Sequence, residues 1–154
     1  MQFKNFFIFV IILIMLTGCL SNVSAEEYNF ENNTHFTIPK GYTLHDKSDN
    51  QVILINENTM SAVGTGILNN ISMDDVLTEF NKVGFNIIDN RNVKISSVDC
   101  EEFKLKNNDG KFINLYKFNK EGINYLVGYT SYDPNFNVEV ADNPVNIIVT
   151  SLSK

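Results

Sequence analysis

Residues 102–132 alternate apolar and polar side chains through three runs separated by two tight-turn sequences, and this stretch restricts the fold more than any other. Phe103 and Leu105 alternate with Lys104 and Lys106, and Asn107-Asn108-Asp109-Gly110 follows. A second run covers 112–118, Asn119-Lys120-Glu121-Gly122 makes the next turn, and Ile123, Tyr125, Val127 and Tyr129 alternate through the third run. Period two puts successive side chains on opposite faces of a strand, and Asp-Gly between such runs supplies a hairpin turn. The segment predicts a meander of three antiparallel strands.

Further strands are expected upstream. Residues 34–38 alternate, Pro39-Lys40-Gly41 turns the chain into Tyr42-Thr43-Leu44, 51–56 is a β-branched run, and 60–68 is another with small residues inside it. Two helices frame the strands. Ser72 can cap the first, with Asp74 and Asp75 in its opening turn, an apolar stripe of Met73, Val76, Leu77, Phe80 and Val83, and Gly84 to stop it. Asp142-Asn143-Pro144 opens the second, whose stripe is Val145, Ile148, Val149 and Leu152. The expected class is α+β: a mainly antiparallel β-sheet with helices packed on it.

The first 18 residues are of a different kind. Lys4 precedes an apolar run from Phe6 to Leu16, and Thr17 and Gly18 lead into Cys19. Charge, apolar core and small residues in that order are the layout of an export signal. Leu16-Thr17-Gly18-Cys19 matches the lipobox of bacterial and archaeal lipoproteins, in which the mature chain begins at a lipid-modified cysteine. The run from Phe6 to Leu20 is shorter than the roughly 20 residues a membrane-crossing helix needs. The expected organisation is a lipoprotein signal over 1–18, a lipid on Cys19, a polar tether over 19–33 and an α+β domain over 34–154. That places the domain outside the cell, on the outer face of the cytoplasmic membrane.

Charge narrows the partners. The formal net charge is −6, and Arg91 is the single arginine. All 18 acidic residues lie beyond the signal. Such a surface has no electrostatic footprint for nucleic acid or anionic headgroups, so the expected membrane contact is the lipid, with the domain held off on its tether. With Cys19 lipidated, Cys100 lacks a partner for a disulfide within the chain. Its neighbours Asp99, Glu101 and Glu102 disfavour a thiolate, so a buried structural cysteine is expected. Sequons occur at Asn22, Asn32 and Asn70.

Phe36-Thr37-Ile38-Pro39-Lys40-Gly41-Tyr42 resembles the opening strand-turn-strand of the Mog1/PsbP-like superfamily, and the order of elements after it is similar too. The likeness runs over about residues 34–154 and is of the kind seen in small exported PsbP-like lipoproteins. Tyr42 stands where relatives often carry tryptophan, and no functional residue of the family has a match here. The resemblance implies a sheet sandwiched by helices. It also implies an accessory, assembly or binding role rather than a catalytic one.

Chemistry-bearing residues are few. His35 reads as an edge residue. His45-Asp46-Lys47-Ser48-Asp49 gathers one imidazole and two carboxylates, which makes His45, Asp46 and Asp49 weak candidates for a metal ion. They lack the alternating acid spacing of a calcium loop and read first as a solvated turn, so no metal or other cofactor is expected. Asp74 and Asp75 are explained by the helix dipole. Asp99, Glu101 and Glu102 read as solvated edge charges. Gly64-Thr65-Gly66 reads as a bulge or close strand packing rather than a nucleotide loop. No nucleophile motif is present, and an enzyme is not expected. What remains is the late aromatic cluster. Its inward set would be core, and any of Tyr125, Tyr129 and Tyr132 facing outward would form a protein-contact surface. The expected function is a non-catalytic accessory or binding module engaging an envelope or membrane protein. A small-ligand or metal-ion binding lipoprotein is the alternative.

Overall fold

A computed structural model describes residues 27–30, 33–132 and 136–153. The signal, Cys19, Asn22 and Asn32 lie outside the described residues. The elements run β1 (Glu27–Asn29), β2 (His35–Thr37), β3 (Thr43–Ser48), β4 (Gln51–Asn56), β5 (Ser61–Ile67), α1 (Met73–Lys82), β6 (Asn86–Ile95), β7 (Val98–Lys106), β8 (Phe112–Lys120), β9 (Ile123–Ser131) and α2 (Pro144–Ser151). Strands β3 to β9 form one antiparallel sheet in the order β3-β4-β5-β9-β8-β7-β6, and β1 pairs only with β2.

The meander is β7-β8-β9, and its turns use Gly110 and Gly122 at φ +82° and +79°, where a side chain would be strained. The helices begin where the capping residues place them. Ser72 Oγ accepts from Asp75 N at 3.1 Å, and Asn143 Oδ1 accepts from Val145 N at 2.9 Å.

Both faces of the sheet are covered, which explains why β4 reads as a continuous apolar run rather than an alternation. On one face, Ile53, Leu105, Ile113 and Leu115 pack against Val76 and Phe80 of α1. On the other, Leu54, Val63, Tyr116 and Val127 lie under Ile148 and Val149 of α2 and under Phe30 and Phe36 from the β1–β2 hairpin. Gly66 allows the close approach read from its sequence context, since a Cβ there would lie 3.0 Å from the Asn50 carbonyl oxygen.

Two features depart from the sequence reading. The packed domain starts inside the predicted tether: Tyr28 pairs with Phe36 across the β1–β2 ladder, and Phe30 is buried. Strand β6 was not predicted. It is the outer strand of the sheet, so most of its side chains are solvent-exposed, and a bulge between Ile87 and Asp89 breaks its alternation.

Candidate functional site

A buried carboxylate held by a guanidinium and a phenol sits where β6, β7 and β8 run side by side. Register sets Arg91 opposite Glu102, and Glu102 opposite Tyr116, so the three share one sheet face. Glu102 is 2% exposed, and both of its carboxylate oxygens are occupied. Arg91 Nε donates to Oε2 at 2.5 Å, and the Tyr116 hydroxyl donates to Oε1 at 2.7 Å. The hydrogen bond and charge of Glu102 raise the Arg91 pKa, while burial and then the same carboxylate drive the Tyr116 phenol well above its ordinary value.

This corrects the reading of Glu102 as a solvated edge charge. Alternation along β7 turns Glu102 to the face of Cys100, and the layer above that face closes over it. The cue available in the sequence is the single arginine, since a guanidinium is the cation best suited to pair with a buried carboxylate.

Although Glu102 is enclosed, the Arg91 side chain remains 54% exposed. It lines an open groove of about 480 Å³ along the sheet edge, with Asn92, Lys94, Asn137 and Glu139. A second groove of about 630 Å³ occupies the opposite face, over the half of the meander that α1 leaves uncovered. Its charges are mutually paired, Lys94 with Asp99 at 3.5 Å and Lys117 with Glu101 at 3.6 Å. Both grooves have the volume of small-molecule sites, but those are enclosed and mostly apolar, whereas these are open and rich in charged and amide side chains.

The other candidates fall apart in space. Tyr125 and Tyr129 are removed from the contact surface, because the odd positions of β9 face the α2 layer. Tyr125 stacks on Phe118 at 5.5 Å and Tyr129 on Phe136 at 3.9 Å, both inside the core. Only Tyr132, just past the end of β9, projects outward, with Lys111 Nζ 5.9 Å from its ring. His45 occupies a register break in β3, and the Asp46 carboxylate accepts from Lys47 N at 2.8 Å. Among the described residues no three His, Cys, Asp or Glu side chains are grouped to hold a metal ion. Cys100 is buried, and burial, with the charge of Asp99, pushes its thiol up to about 12. Tyr42 is likewise pushed up to about 12 by burial and bonds Ser61 Oγ at 2.7 Å.

No family model matches the chain, and no curated protein matches it in sequence. Solved structures do match. Cyanobacterial PsbP (CyanoP) from Synechocystis sp. PCC 6803 superposes with a TM-score of 0.54 at 9% identity, over 88% of this chain and 97% of that one. A protein of Bacteroides thetaiotaomicron VPI-5482 gives 0.55 at 10% identity over 85% of this chain, which spans 48% of the Bacteroides protein. The chain has the PsbP-like α+β fold.

Proposed function

We propose that this protein is a lipid-anchored, extracytoplasmic binding module that engages an envelope or membrane protein and catalyses no reaction. The observation that carries the reading is the groove along β6, where buried Glu102 fixes the one arginine at an open sheet edge. Catalysis needs a base or nucleophile left free to act. Here both Glu102 oxygens are already bonded, and the Cys100 thiol stays protonated in the core. What the groove offers is a positioned guanidinium beside amides and charges of both signs, the polar equipment of a protein contact. Resemblance to PsbP-like domains supports an accessory role, and Leu16-Thr17-Gly18-Cys19 supports the anchor.

Detergent phase partition tests the address. The full chain is expected in the detergent phase, and Cys19→Ser is expected to move it to the aqueous phase. Partition unchanged by the substitution would overturn the anchor.

A further inference from the structure

The strand registers gather one set of turns at a single end of the large sheet. Asn56 pairs with Ser61, Ala62 with Thr130, Ser131 with Phe112, Phe112 with Lys106, and Lys106 with Asn86. The β4–β5 turn, the end of β9, the β7–β8 turn and the start of β6 therefore form one rim. It crosses five strand spacings, roughly 24 Å. Five large apolar side chains of the described residues are exposed, and Met60, Ile87, Ile88 and Tyr132 all stand on this rim, the fifth being Val140. Met60 is the most exposed, at 67%, and is held at φ +50°, a conformation glycine or asparagine adopts at less cost. Two lysines accompany the apolar groups, with Lys106 Nζ 5.2 Å from the Phe112 ring and Lys111 Nζ beside Tyr132. Apolar bodies with aromatic and lysine neighbours suit the boundary between headgroups and acyl chains.

The path of the chain selects the occupant. Lys120, at the opposite end of the sheet, donates to the Thr150 carbonyl at the close of α2, and Ser153 beyond it pairs with His35. From His35 the chain runs back through Thr37 toward the rim, where Gly41 lies against the Asn56 side chain. Glu27, the register partner of Thr37, is therefore on the rim side, and β1 leads away from it. Only eight Cα steps separate Cys19 from Glu27, at most about 28 Å however they run. The opposite end carries Asp49, Asp74, Asp75, Asp99 and Glu121 against Lys94 and Lys120, whereas the rim turns set Glu57 and Asp109 against Lys106 and Lys111, so an anionic surface repels the opposite end more than the rim.

We infer that this rim is a membrane-contact surface, seated on the bilayer interface with the acidic end pointing away. The inference rests on the lipid-anchor reading and adds a fixed posture to it. It replaces the expectation of a domain held clear of the surface.

The test uses the full chain, purified from membranes and reconstituted into phosphatidylethanolamine–phosphatidylglycerol vesicles that contain acyl-chain spin-labelled lipid. A fluorophore is attached through Met60→Cys or Tyr132→Cys on the rim, and through Asp49→Cys or Asp74→Cys at the far end; buried Cys100 is shielded from labelling. Quenching is expected to be several-fold stronger at the two rim positions. Equal quenching at both ends, or stronger quenching at the far end, overturns the posture. Rim labels that shift to the blue without lipid quenching would mean that a second copy covers the rim, and would also overturn it. Intact mass of the same sample reads the lipid on Cys19. A lipidated chain with equal quenching loses the rim proposal alone, and a chain without lipid loses both.

Discussion

Replacing Arg91 with Met is expected to destabilise the domain by about 3 kcal/mol, although Arg91 lies on an exposed strand. Surface substitutions usually cost no more than about 0.5 kcal/mol, but this one strands a carboxylate that is 2% exposed. Removing one partner of a buried ion pair typically costs about 3–5 kcal/mol, and the lower end applies because the Arg91 side chain is half in water. Tyr116 alone would remain to hold the Glu102 charge. For a domain of this size, 3 kcal/mol corresponds to a fall in Tm of about 10 °C. The double variant Arg91→Met/Glu102→Gln is expected to recover part of the loss, because the uncompensated charge goes while an acceptor for Tyr116 stays. Denaturant unfolding of the two singles and the double gives the coupling directly. An Arg91→Met midpoint equal to wild type would show that Glu102 is not buried as described.

The second large effect is expected in the stretch that reads as a tether. Phe36→Ala should cost about 4 kcal/mol and Phe30→Ala about 3 kcal/mol, the range for emptying a buried aromatic site. Phe36 is fully buried, with its ring 5.5 Å from Tyr28 and 5.9 Å from Phe30. These rings close the face of the sheet beside α2, so losing them exposes Leu54 and Tyr116 neighbours as well as creating a void. Thermal unfolding of the two variants checks the values. A Phe30→Ala variant as stable as wild type would restore a domain that starts at residue 34.

The parts of the fold legible in the sequence are those in which local rules and tertiary context agree. The meander alternates because its strands sit between two apolar layers and turn on Gly110 and Gly122. Ser72 and Asn143 mark the helix starts because each carries an oxygen that satisfies otherwise unpaired amides. What was not legible depends on position in the sheet. Strand β6 is an outer strand with few inward side chains, so Asn86–Ile95 carries little apolar signal, and its bulge shifts the period midway. Strand β1 is three residues long and is recognisable only through Phe30 and its contact with a hairpin partner.

The candidate site was less legible still. Alternation along β7 correctly splits Glu101 from Glu102, but it cannot say which face is covered, and that alone turns Glu102 from a solvated charge into a buried one. The same ambiguity governed the tyrosines. Tyr125 and Tyr129 share a face with Val127, and α2 covers that face, so only Tyr132, past the strand end, reaches solvent. A sequence gives the period of a strand, whereas burial belongs to the layer packed on it.

Cross-linked capture from solubilised membranes tests the binding-module reading most directly, with the full chain compared against the groove substitutions Asn137→Arg and Glu139→Lys. Both side chains are exposed and line the Arg91 groove alone, so the fold tolerates the changes. The expected result is one specific envelope or membrane protein recovered by the wild type, lost with the groove variants, and retained by a Lys47→Glu control on the far edge of the sheet. Recovery of nothing specific, or of the same protein whether or not the groove is altered, would contradict the account.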